Sequence, residues 1–180
     1  VFYQVPAESL SLYADAGLSA FKLGEEAIVD LAAFDIKGTR RGNLRNAINK
    51  AERDGIVFEV VPPEAVPAIM DELAAVSTSW LEARKAREKT FSLGAFEPDY
   101  VASQPVAVLK RAGHIFAFAT LMVSGDGQEA AIDLMRFTPK SPNGTMELLF
   151  TRVLLHFKAA GFRDFSLGMA PLAGLSDSPL

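Results

Sequence analysis

Asp133 and Arg136 stand three residues apart inside AIDLMRF (131–137), an apolar run that predicts a buried strand. Charges in such a strand are costly unless they are paired or used. Asp133 can accept a proton from an attacking hydroxyl, or orient that hydroxyl. Arg136 can fork onto a phosphate. Either could instead satisfy buried backbone or a structural partner. Strand alternation predicts Asp133 and Met135 on one face, with Leu134 and Arg136 on the other.

The turn that follows, PKSPNGT (139–145), leads into an apolar helix predicted over 146–160, with Gly161 ending it. The helix start presents free N–H groups and a positive dipole end, so it is a natural anion site. Ser141, Asn143 and Thr145 are placed there as donors or caps, and Ser141 and Asn143 are taken as candidate phosphate ligands. Glu147 suits the first turn through the dipole alone. His156 and His114 are read as flank or core residues.

A second concentration of chemistry lies at 37–61, KGTRRGNLRNAINKAERDGIVFEVV. A helix is predicted from Thr39, as N-cap, to Asp54, with Gly55 as its stop and a strand over 56–61. Leu44, Ala47, Ile48 and Ala51 make one apolar stripe. Arg41, Arg45, Lys50 and Arg53 spread over the opposite arc with Asn43, Asn46 and Asn49. Cations and amides in that pattern suit phosphate contacts with strong salt dependence. A plain solvated face accounts for the same pattern. Arg84, Lys85, Arg87 and Lys89 form a lesser patch.

These residues need a scaffold, and 180 residues with 49% hydrophobic content can bury one. A net charge of −4 excludes general attraction to polyanions, so any such binding is local. Cysteine is absent, which removes disulfides and thiolate metal sites, and two histidines far apart in sequence argue against a histidine metal site. No apolar run reaches the roughly 18 residues needed to span a bilayer. Strands are expected over 1–5, 18–23 and 25–30, the last as a strand or a turn, with a short helix over 8–16. A long helix is expected over 64–89, and loops over 91–94 and 98–100. Strands over 106–109, 114–123 and 130–137 form a hairpin-linked meander, and a last strand over 165–169 returns parallel after the helix crossover. This order is that of a mixed α/β sheet of GNAT type, the acyltransferase fold. A GNAT acetyltransferase needs a glycine-rich loop before the helix; RFTPKSPNGT (136–145) has two prolines and one glycine there, which argues against acetyl-CoA.

Several stretches together carry a resemblance. KLGEEAIVDL (22–31), KGTRRGNLRNAINKAERDG (37–55), SWLEARKAREKTFSLGAF (79–96), HIFAFATL (114–121), DLMRFTPKSPNGTMELLF (133–150) and FSLGMAPLAGL (165–175) resemble the C-terminal domain of bacterial phosphatidylglycerol lysyltransferases. The resemblance implies transfer of an amino acid, lysine foremost, from aminoacyl-tRNA to the head group of phosphatidylglycerol, with no metal or dissociable cofactor. It places the family's Asp-x-x-Arg motif on Asp133 and Arg136. It implies two GNAT-like halves: 1–61 as part of the first, with the basic helix, and 62–180 as most of the second, short of a C-terminal segment that adds polar residues. It also implies a soluble piece of a parent at the cytoplasmic face of the bacterial inner membrane. The other readings are an aminoacyl-tRNA-dependent transferase with a peptide or cell-wall acceptor, and a catalytically silent module that binds tRNA or anionic membranes.

Overall fold

The computed structural model describes residues 1–3, 5, 7–88 and 94–174. The alternating apolar runs of the second half form a meander of β3 (Val106–Arg111), β4 (His114–Val123) and β5 (Glu129–Phe137). Its connections are short and polar, and Ser124 Oγ and Asp126 Oδ1 accept from the backbone to shape the β4–β5 turn. Strand β2 (Ile56–Val61) pairs antiparallel with β3 over its whole length. With β1 (Gly24–Asp30) and β6 (Asp164–Pro171), six strands make one mixed sheet in the order β1-β6-β5-β4-β3-β2. Strand β6 is parallel to β5, Glu129–Ala131 against Asp164–Ser166, as the helix crossover requires.

The chain forms two compact units, Ile28–Gly168 and the pair Val1–Ala27 with Met169–Leu180. The larger unit runs through the division expected after Val61, because the β2–β3 ladder joins the two sides of that boundary. Within it the sheet is covered on both faces. Helices α2 (Gly42–Arg53) and α5 (Thr145–Ala159) bury Ile48, Ala51, Leu149, Val153 and Phe157 against Ala107, Leu109, Ala117, Ala119 and Leu121. On the other face, helices α3 (Met70–Arg84) and α4 (Pro98–Ala102) bury Leu73, Val76 and Val101 against Val106, Val108, Phe118 and Leu134. Each large side chain fully buried this way contributes about 1.5–3 kcal/mol.

Several expected elements differ. The helix expected over 64–89 is a 3₁₀ stretch, Pro63–Ile69, then α3; Pro67 has no N–H to donate to a regular α-helical ladder. Helix α3 ends at Lys85, which adopts φ +49° while the N–H groups of Lys85 and Ala86 bond back to Glu82 and Leu81. Thr39 does not cap α2: Thr39–Arg41 is a single 3₁₀ turn, and Arg41 holds the cap position without a side-chain bond. Residues 98–100, expected as loop, open α4, where Pro98 suits a first turn that has no use for its N–H.

In the smaller unit, helix α1 (Leu10–Asp15) follows a 3₁₀ turn. The described residues of 1–5 and all of 18–23 are not strands. Phe2 and Phe21 remain largely exposed, so no core rewards an extended pairing there. Gly24 is needed where it stands, since a Cβ would lie 2.3 Å from the Ala170 carbonyl oxygen.

Candidate functional site

The site begins with one extra residue. Along the β4–β5 ladder Ala119 faces Met135 and Leu121 faces Ile132, so two steps on β4 match three on β5. The bulge falls at Asp133 and Leu134, opposite Thr120, whose Oγ1 accepts the Leu134 N–H at 2.9 Å. Strict alternation is broken there. Ile132 and Met135 pack into the α2–α5 core, whereas Leu134 joins the α3–α4 core. Asp133 and Arg136, expected on opposite faces, therefore both work on the α3–α4 face, and the added residue is the reason.

Asp133 is half-buried and held from two sides. Its Oδ1 accepts the Gly94 N–H at 3.0 Å, and its Oδ2 accepts the Tyr100 hydroxyl at 2.8 Å. Tyr100 comes from α4. Burial, then the bond to Asp133, pushes its hydroxyl above the ordinary phenol range. Gly94 admits no side chain: a Cβ would lie 2.2 Å from Asp133 Oδ2 and 2.4 Å from the Tyr100 ring. Two bonds fix the carboxylate plane and leave acceptor capacity on each oxygen. It can take and return a hydroxyl proton without reorienting.

Arg136 is buried at 4% exposure, and its fork is already filled. Nη1 and Nη2 donate to the two Glu88 carboxylate oxygens at 2.6 and 2.7 Å, and Nη1 also donates to Ser77 Oγ. The rings of Trp80 and Phe96 flank the guanidinium at 5.2 and 5.9 Å. The bond to Arg136 holds the Glu88 carboxyl below the usual carboxylate range against the opposing effect of burial, and the Phe96 N–H adds to the lowering. A phosphate could reach this fork only by displacing Glu88. The sequence singled out Asp133 and Arg136 but not Ser77, Glu88, Gly94, Phe96, Tyr100 or Thr120. Pro98 after Glu97 is an N-terminal helix signal that would have drawn Tyr100 onto a helix; for the others no local signal exists.

The remaining expected ligands lie on the other face. Arg41 Nη1 donates to the Asp35 carbonyl at 2.6 Å, and its guanidinium lies 5.0 Å from the Phe34 ring centre. Arg45 Nη1 donates to the carbonyls of Ile36 and Gly38. Both thus fasten the loop before α2. Arg53 Nε bonds the Asn49 carbonyl at 3.3 Å. Lys50 is exposed and shares a small cleft with Asn143 at the start of α5. Ser141 turns inward, donating to the Phe116 carbonyl at 3.3 Å and meeting Thr138 Oγ1 at 3.0 Å. The structure thus brings Lys50 to Asn143, and sets the α2–α5 group apart from Asp133 by the thickness of the sheet. Lys89 lies outside the described residues. Among the described residues, no group of three or more His, Cys, Asp or Glu is placed to hold a metal ion, and no helix is long and apolar enough to cross a membrane.

A sequence model of the C-terminal region of phosphatidylglycerol lysyltransferases matches residues 1–180. The phosphatidylglycerol lysyltransferase of Bacillus subtilis is 43% identical over 176 residues, 97% of this chain and 20% of that protein. That of Staphylococcus epidermidis is 35% identical, over 97% of this chain and 21% of its own length. The chain thus spans about one-fifth of these curated relatives. Among solved structures, a C-terminal domain assigned to a lysylphosphatidylglycerol synthetase of Agrobacterium fabrum is 55% identical with a TM-score of 0.87, covering 96% of this chain and 54% of that one. L-PGS of Bacillus licheniformis is 44% identical, also with a TM-score of 0.87, over 98% of this chain and 54% of its own. A GCN5-related glucosamine N-acetyltransferase region of a fungal enzyme, 10% identical with a TM-score of 0.53, shares the fold alone, over 92% of this chain and 20% of its own.

Proposed function

The chain belongs to the family of phosphatidylglycerol lysyltransferase C-terminal domains, and on that premise we propose that it carries the part of such an enzyme that moves an aminoacyl group, lysyl foremost, from aminoacyl-tRNA to a head-group hydroxyl of phosphatidylglycerol at the membrane surface. The observation that carries this reading is the fixed carboxylate of Asp133, bonded by Gly94 N–H and the Tyr100 hydroxyl at a strand bulge. The lipid hydroxyl approaches Asp133, which takes its proton as the oxygen attacks the ester carbonyl. When the tetrahedral intermediate collapses, the bond to the ribose oxygen breaks and the same proton passes to that oxygen. One ester replaces another, so the catalytic task is positioning and charge stabilisation.

Arg136 serves here as a positioning residue. Through Glu88 and Phe96 it holds the chain beside the bulge that presents Asp133. Lys50, Arg53 and Asn143 offer a separate polar surface that suits the sugar–phosphate backbone of the donor. The test is lipid extraction from bacteria expressing the whole protein with Asp133→Asn. Aminoacylated phosphatidylglycerol is expected to fall by about 10²-fold or more, the usual contribution of a positioned acid–base group. Wild-type amounts of product would remove Asp133 from the mechanism.

A further inference from the structure

We propose that Arg84 is the cation that receives the phosphodiester of the acceptor lipid. The proposal rests on the reading above and supplies the anion contact that Arg136, with its fork on Glu88, does not offer. Arg84 is the last residue of α3 and is exposed. Its guanidinium lies 4.3 Å from the Trp80 ring centre and 5.1 Å from that of Phe137. Trp80 also carries Arg136 at 5.2 Å, and Phe137 is the next residue along β5. Arg84 therefore shares Trp80 with Arg136 at the end of β5 and also touches Phe137, whose ring packs with the α2–α5 core.

Two features set it apart. Among the described residues it has no hydrogen bond and no ion pair, whereas Arg136, Arg152 and Arg163 each face a carboxylate. Arg40, Arg87 and Arg111 are exposed too, but no aromatic ring lies under them among the described residues. Stacking uses the flat face of a guanidinium and leaves its in-plane N–H donors free. Two of those donors match two oxygens of a phosphodiester. Aromatic contacts on Trp80 and Phe137 restrict the side chain before any ligand arrives, which lowers the ordering cost of binding.

The head group of phosphatidylglycerol favours the lipid as source. Only three carbons separate its terminal hydroxyl from its phosphate, so a hydroxyl at Asp133 confines the phosphate to the neighbouring rim. Arg84 meets β5 at Phe137, four residues beyond Asp133 and across the bulge, so the span is shorter than the roughly 13 Å of four fully extended steps. Two side chains and a glycerol can bridge that span.

Trp80 is the sole tryptophan of the chain, so its emission reports on this cluster alone. The experiment titrates the 180-residue chain with short-chain phosphatidylglycerol and, separately, with an RNA oligonucleotide ending in CCA. The expected result is a saturable change of Trp80 emission with the lipid. Its apparent Kd should rise at least tenfold in Arg84→Gln, and less in Arg84→Lys, which keeps the charge and loses the planar fork. Equal affinity in wild type and Arg84→Gln overturns the proposal. So does the absence of any response to the lipid, or an Arg84-dependent response to the RNA alone. Thermal melting of each variant checks the fold, and Arg84→Lys stands in if Arg84→Gln melts early. The titration needs no donor and no turnover, so its outcome is separate from the fate of the transfer reaction tested at Asp133.

Discussion

The two charges of the strand end have different surroundings. Asp133 keeps acceptor capacity free beside two hydrogen bonds, while Arg136 is buried with both terminal nitrogens bonded to Glu88. Gly94→Ala places a methyl group against both Asp133 and Tyr100. It should abolish transfer in the whole protein while changing the melting temperature of the chain by only a few degrees, a pair of outcomes read by lipid extraction and calorimetry. Glu88 makes a stability prediction with a defined pH sense. Its folded value is depressed by Arg136, so its contribution is fully present above the ordinary carboxylate range and is lost as pH falls through the folded value. Glu88→Gln should therefore lower stability at neutral pH and flatten the acid limb of a urea-denaturation series. Removing the partner of a buried guanidinium costs about 3 kcal/mol, reduced here because 29% of the Glu88 side chain stays exposed.

At the level of elements, the bulge in β5 decides which face each side chain serves. Thr120 stabilises it by accepting the Leu134 N–H. Thr120→Val keeps the shape and orphans that buried donor, at about 1–3 kcal/mol. The chain should melt earlier, and the Tyr100–Asp133 contact should loosen, visible as a fall of the raised Tyr100 titration toward the ordinary phenol range in a spectrophotometric pH series. The helices were largely legible in the sequence. The stripe Leu44, Ala47, Ile48, Ala51 marked α2, and Gly161 marked the end of α5. Their edges were less so, because Pro67 converts the first turns before α3 to 3₁₀ and Lys85 ends α3 without a glycine. Neither effect has a periodic signature.

At the scale of the whole chain, a sheet clad on two faces keeps two groups of polar side chains apart. The Asp133 cluster lies on the α3–α4 face, and Lys50, Arg53 and Asn143 lie with α2 and α5. If the donor's phosphates rest on the second surface, Lys50→Gln with Arg53→Gln should reduce the slope of log affinity against log salt for tRNA by about 1.5, while Asp133→Asn leaves it unchanged. Filter binding across a salt series measures both. From α2 to β6 the sequence by itself determined the strands, the helices α2 and α5, the parallel return of β6, the apolar faces and the presence of two uncommon charges in a buried strand, since these follow from periodicity, from the helix crossover and from the cost of burying charge. Only the tertiary structure decided that Asp133 and Arg136 share a face, that Glu88 fills the arginine fork from 48 residues away, and that Tyr100 orients Asp133 from 33 away. A one-residue bulge leaves no trace in alternation, and a partner distant along the chain is chosen by packing, which a linear pattern does not encode.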